Sequence, residues 1–203
     1  MKLLVDTDVF CKLQVAGLLS DAVGLFAAGL GDCGRLAALP HMLRRGKLRK
    51  WLGGDACDAL IPVADAVPVI PLPSDTWLDE LIPVEGIDVG EAQLFAAAAE
   101  AGLLVVSGDK RALRALKDVD RFASALSGRI VVLEAVLIAL CERLGADAVR
   151  ERVAALSAAD KMVQVCFSDS NPNPLESLVS YYESLAAELA PLVLWDPRDG
   201  GTP

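Results

Sequence analysis

The stretch Asp88-Val-Gly-Glu91-Ala-Gln-Leu-Phe-Ala-Ala-Ala-Ala-Glu-Ala-Gly102-Leu-Leu-Val-Val-Ser107-Gly-Asp109 decides how the rest of the chain is read. Asp88 followed three residues later by Glu91 is a capping-box signature for a helix start. The alanine-rich run after it has high helix propensity, and Gly102 fits a C-terminal stop. Leu103 to Val106 is a short continuous apolar run of the kind found in buried strands. A helix from Glu91 to Ala101 advances roughly 15 Å at 1.5 Å per residue. A strand from Leu103 to Gly108 running back covers roughly 17 Å at about 3.3 Å per residue. The two distances nearly cancel, so the spacing predicts Glu91 and Asp109 at the same end of a sheet.

Two further apolar runs extend the pattern. Leu3-Leu4-Val5 does not alternate, which predicts a central parallel strand, and it ends on Asp6-Thr7-Asp8. Ligand sites of open α/β sheets lie outside the carboxyl ends of the strands, so Asp6 stands where a site would be. Thr7 or Asp8 can equally cap the next helix, expected to run through Leu18. Arg129 to Leu133 is the third buried run. Strands at about 3–5, 103–106 and 130–133 alternating with helices predict an α/β fold of three layers, with a parallel central sheet flanked by helices.

Helices are expected over 20–30, 36–52, 55–64, 74–81, 110–116, 120–126 and 134–144. Asp109 is well placed to cap the helix at 110. Val67 to Pro73 holds three prolines and is expected as an edge strand or extended connection. After Gly145 strands disappear, and 146–156, 157–167 and 174–190 read as helices. The expected organisation is an α/β domain over 1–140, with an all-helical extension over 141–203 packed on it.

Composition narrows the function. The 203 residues are 54% hydrophobic and carry a net charge of −9. That balance argues against unaided binding to bulk nucleic-acid backbone. One segment runs the other way: Arg44, Arg45, Lys47, Arg49 and Lys50 are five basic residues in seven, with no acid between Asp32 and Asp55. On one helix they would form a basic face able to guide a polyanion; a solvated helix face explains them equally well. No apolar run is long enough to span a bilayer. The N-terminus lacks a signal-peptide pattern, and five scattered cysteines without a CxxC pair fit a reducing compartment. A cytoplasmic protein is expected. The single histidine, His41, has no neighbouring nucleophile motif or zinc-ligand spacing.

Parallel strands would bring Asp6 and Asp109 to one sheet edge, and the distance argument adds Glu91. Three carboxylates gathered there repel unless protonated or bridged by a cation. Oxygen donors without His or Cys favour Mg²⁺ or Mn²⁺, which suits phosphodiester hydrolysis by activated water. Each acid also has the plainer role of a helix-start residue.

The order Leu-Leu-Val-Asp6-Thr-Asp8, then Gly-Glu91-Ala near a helix start, then Leu-Leu-Val-Val-Ser-Gly-Asp109 resembles the PIN-domain nucleases over roughly residues 1–135. The resemblance implies a metal-dependent ribonuclease, in some members a toxin held by an antitoxin. It makes Asp6, Glu91 and Asp109 catalytic metal-binding acids, with Asp8 and Asp88 as further ligands. Thr7 and Ser107 match small polar positions beside those acids. Lys110 and Arg111, with the basic segment, would contact RNA. An antitoxin-like protein or a second copy of the chain is the expected protein partner.

The chain departs from the family in lacking an acid, commonly Glu, on a helix in the first half: no Glu precedes Glu80. Either Asp8 or Asp88 completes the site or metal binding is weakened, which leaves a PIN-like RNA- or protein-binding scaffold as the alternative. A second alternative is a haloacid-dehalogenase-type phosphatase using Asp6 and Asp8.

Overall fold

In a computed structural model of the chain, residues 1–158 and 160–198 are described, without the Lys47 side chain. The sheet has four strands, β1 (Leu3–Val5), β2 (Cys33–Gly34), β3 (Leu104–Ser107) and β4 (Ile130–Val132), all parallel in the order β2-β1-β3-β4. Every residue of these strands is buried, which explains why β1, β3 and β4 lie in continuous apolar runs. β1 pairs with β3 through Leu3–Leu104 and Val5–Val106, and β3 with β4 through Ser107–Val132. The chain leaves β1 toward β2 on one side and leaves β3 toward β4 on the other. The crevice above the carboxyl ends of β1 and β3 is therefore the topological switch point, where open α/β sheets place their ligands.

Helices flank the sheet: α1 (Thr7–Val15), α2 (Leu19–Gly24), α3 (Leu39–Arg44), α4 (Lys47–Leu52), α5 (Gly54–Ala66), α6 (Asp75–Leu81) and α7 (Val89–Ala101) come first. Then follow α8 (Lys110–Leu116), α9 (Asp120–Ala125), α10 (Leu133–Leu144), α11 (Ala146–Val153), α12 (Lys161–Cys166) and α13 (Pro174–Leu189). Leu13, Leu19, Ala22, Val23 and Val136 of α1, α2 and α10 close over Leu3, Val5 and Val106 with a residual void of only about 10 Å³. α7 packs on β1 and β3. Position 140 falls inside α10, and α13 packs on α10, α12 and α8. Arg114 of α8 pairs with Glu188 of α13.

Four expectations need correction. The helix expected over 36–52 is two helices, because Arg45 is extended and Gly46 takes φ +119°, a conformation glycine alone adopts readily. The helix expected over 20–30 ends at Gly24, and Ala27 turns back with φ +48°. The helix expected over 157–167, of which residue 159 lies outside the described residues, shortens to α12, which Asp160 caps by accepting from Val163 N–H at 3.1 Å. A fourth strand, β2, was absent from the expectation because Gly34 reads as punctuation. Its role is close approach: a Cβ there would lie 2.7 Å from Leu4 and 2.9 Å from Ile70.

Outside β2, the proline-rich connection runs parallel to the sheet edge through a single Arg35–Val69 bridge. At the opposite edge Leu194 bridges to Ile130, and Trp195 N–H donates to the Ile130 carbonyl at 2.8 Å. The C-terminal segment thus covers the open edge of β4, which would otherwise present unpaired backbone groups. All five cysteines are buried thiols. No helix among the described residues is long and apolar enough to cross a membrane.

Candidate functional site: an acidic cleft at the switch point

Three connections deliver carboxylates to the switch point. After β1, the Asp6 N–H still bonds the Val106 carbonyl of β3 at 2.9 Å, so the backbone is fixed by the sheet where the acid begins. Asp6 caps α1, accepting from Thr7 N–H at 2.7 Å. After β3, Gly108 lets the chain pass close to α1; a Cβ there would lie 3.1 Å from Val9 and 3.5 Å from Asp8. Asp109 then caps α8 with one oxygen, Oδ1, which accepts from Arg111 and Ala112 N–H at 2.8 and 3.0 Å. Before α7, Asp88 and Glu91 form a full capping box: Asp88 accepts from Glu91 N–H at 2.9 Å and Glu91 Oε2 from Asp88 N–H at 2.6 Å. Capping therefore occupies only part of each carboxylate, and the remaining oxygens are available to the cleft.

The electrostatics reflect this crowding. Burial pushes the Asp6 pKa up to about 6, reinforced by the negative charges of Asp8, Asp109 and Asp88 and opposed by the Thr7 N–H. Burial also lifts Glu91 well above the ordinary carboxylate range, and a side-chain hydrogen bond with Asp109 adds to the rise. Asp109 moves the other way: burial would raise it, but the Ala112 N–H, the hydrogen bond with Glu91 and the Arg111 N–H outweigh that. The consistent assignment is a protonated Glu91 donating to an ionised Asp109. Thr7 and Ser107 are both buried; Thr7 lines the cleft with these acids and Ser107 does not, and Thr7 Oγ1 has no hydrogen-bond partner.

Asp6, Asp8, Asp88, Glu91 and Asp109 line one cleft of about 1110 Å³. Its far side contains residues that the sequence alone did not single out. Glu134, only 2% exposed at the start of α10, pairs with Lys110 at 2.6 Å. Lys12 bridges Asp8 at 2.6 Å and Asp160 at 2.7 Å. Lys161 and Tyr181 complete that wall from the C-terminal helices. Two of these had a local signal, since Glu134 directly follows a strand and Asp8–Lys12 has the i,i+4 spacing of a helical ion pair. Asp160, Lys161 and Tyr181 arrive only through the packing of α12 and α13.

The basic segment is arranged differently from its expected single face. Arg49 pairs with Asp58 at 2.5 Å and Arg44 with Asp65 at 3.4 Å, both acids of α5. Arg45 and Lys50 are exposed, and the Lys47 side chain lies outside the described residues. From this segment Met42 and Leu48, rather than the cations, line the cleft. Arg111 is exposed at its rim, 3.8 Å from Asp109.

The acids of the cleft offer only oxygen donors, which fits a hard divalent cation such as Mg²⁺ or Mn²⁺. The partnerless Thr7 hydroxyl beside Asp6 fits the same chemistry. Among the described residues no three such side chains already stand together as a metal-binding group. Compared with protein-family models, with curated proteins and with solved structures, the chain finds no match.

Proposed function

We propose that this chain is a PIN-like, Mg²⁺- or Mn²⁺-dependent endoribonuclease that hydrolyses RNA phosphodiesters in the switch-point cleft. The observation that carries the reading is the convergence of Asp6, Glu91 and Asp109 from three separate connections, with Asp6 and Glu91 both resisting ionisation. Acids that cannot all ionise together form a site where a divalent cation replaces protons. Asp6, Glu91 and Asp109 would hold the cation, with Asp8 and Asp88 at the edge of the set. When bound, it lowers the pKa of an attacking water and balances charge on the phosphate. Thr7 lies beside the acids, and Lys110 supplies a cation next to Asp109. A cytoplasmic RNA is the substrate of this reading, and an antitoxin-like protein or a second copy of the chain is the partner that would control it.

A scaffold that binds RNA without cutting it is favoured by one specific arrangement. Lys12 and Lys110 are already paired with Asp8, Asp160 and Glu134, and no glutamate from the first half joins the cleft. An RNA-cleavage assay with Mn²⁺ separates the readings. Metal-dependent cleavage lost in Asp6→Asn supports the nuclease, and retained RNA binding without cleavage supports the scaffold. Turnover of a phosphomonoester in place of RNA supports phosphatase chemistry at Asp6 and Asp8.

A further inference from the structure

The cleft has two chemically distinct halves. The sheet edge offers carboxylates, whereas the wall built by α8, α12 and α13 offers ammonium groups and one aromatic ring. Tyr181 is the one aromatic among the described residues that line the cleft. It remains 37% exposed in a chain where aromatics are only 5% of residues, most of them committed to the core. Tyr182, its neighbour on α13, shows the contrast: it is buried and its hydroxyl donates to the Trp195 carbonyl at 3.1 Å.

The ring is also held in place. Lys110 Nζ lies 5.0 Å from the Tyr181 ring centroid and 2.6 Å from Glu134, so one ammonium is shared between a buried carboxylate and an aromatic ring. α13 is tied to α8 by Arg114–Glu188 and by Lys117 donating to the Glu188 carbonyl at 2.8 Å. Lys110 directly follows Asp109 in sequence. An exposed ring on a fixed helix, next to an ammonium that adjoins the acids, is the arrangement by which proteins grip an unpaired nucleotide: base on ring, phosphate on cation.

We infer that Tyr181 is a stacking platform for one base of single-stranded RNA, with Lys110 and Lys161 facing the adjoining phosphates. The inference rests on the ribonuclease reading above and gives the C-terminal helix a part in it. A base paired inside a duplex cannot offer its face to the ring, so the cleft selects unpaired RNA. Tyr181 is a substrate-binding residue here, and the acids remain the centre of the chemistry.

The test combines three variants with a series of single-stranded oligoribonucleotides, each lacking the base at one position near the cut. In Mn²⁺, Tyr181→Leu keeps an apolar side chain but loses the ring, and KM should rise about 5- to 150-fold, the range for losing one stacked base, with kcat nearly unchanged. Tyr181→Phe and Tyr181→Trp should retain wild-type KM. One abasic position should weaken the wild type by the same factor and leave Tyr181→Leu indifferent, which a merely structural role would not produce. Wild-type cleavage with no such position, or with Tyr181→Leu equal to wild type, overturns the stacking platform and leaves the nuclease standing. If Tyr181→Leu does not fold, abasic scanning of the wild type and the Tyr181→Phe result still decide. Neither cleavage nor binding of RNA by the wild type, including capture of a protein partner alone, overturns both.

Discussion

Glu91 and Asp109, at the starts of two helices and 18 positions apart in sequence, line one cleft and split in acidity, Glu91 pushed up and Asp109 down. Two neighbouring acids that share one proton split in this way, so the pair titrates as a unit. It connects the capping box of α7 to the N-terminal cap of α8 and places local helix chemistry and cleft chemistry on the same atoms.

Removing charge from the cleft should stabilise the protein without metal and abolish its activity. At pH 7.5, Asp6→Asn should raise the unfolding free energy by about 1–3 kcal/mol, since a shift of one pKa unit is worth about 1.4 kcal/mol and Asn still caps a helix. RNA cleavage should fall about 100-fold or more, as expected where a metal's several kcal/mol of transition-state stabilisation is lost. Urea unfolding and a cleavage assay on one preparation check both.

Metal-induced stabilisation should grow with pH. Asp6 and Glu91 have folded-state pKa values raised above their ordinary ones. Their contribution to stability is therefore fully present at low pH, below the unfolded carboxyl values, and is lost as pH rises through about 6 for Asp6 and higher for Glu91. A divalent cation competes with those protons. The Tm increase caused by Mn²⁺ should be small at pH 5 and rise toward pH 8; a pH-independent increase would contradict cation binding at these acids.

The Lys110–Glu134 pair should reveal itself through asymmetry. Glu134 is buried and Lys110 partly exposed. Lys110→Ala strands a carboxylate in the interior and should cost about 1–3 kcal/mol, below the range for a fully buried broken pair because water reaches the lysine. Lys110→Met combined with Glu134→Gln should recover part of that loss. A double-mutant cycle by urea unfolding measures it.

Gly34→Ala should destabilise by about 1–3 kcal/mol, the usual cost of overpacking, because the added Cβ meets Leu4, the Met1 sulfur and Ile70 at 2.7, 2.7 and 2.9 Å. Gly102→Ala supplies the contrast: no heavy atom lies within 4 Å of its Cβ position, and its cost comes from φ +64° alone. Thermal unfolding of the two variants separates steric from conformational cost.

Much of the parallel sheet was legible because its strands are buried on both faces and write themselves as unbroken apolar runs. β2 was not, since two residues ending in glycine carry no periodicity and its glycine serves packing against β1. The single basic helix was overread: charge density says nothing about Gly46, whose backbone splits the segment, or about the α5 acids that take up Arg44 and Arg49. That Asp6, Glu91 and Asp109 line one cleft followed from strand direction and helix length, quantities fixed by backbone geometry. Glu134 joins them from the residue after the β4 exit, a placement readable in the same way, whereas Asp160 and Tyr181 arrive through tertiary packing of α12 and α13, for which local sequence has no signal.

The central claim is that Asp6, Glu91 and Asp109 share one divalent cation. A crystal of the full chain soaked in Mn²⁺ and measured at a wavelength where manganese scatters anomalously tests it directly. The account predicts one strong peak in the switch-point cleft with oxygens of all three carboxylates at metal-ligand distance, about 2.0–2.6 Å, and the Glu91–Asp109 hydrogen bond broken. A cleft without a peak, or manganese bound elsewhere while Glu91 still donates to Asp109, would contradict it.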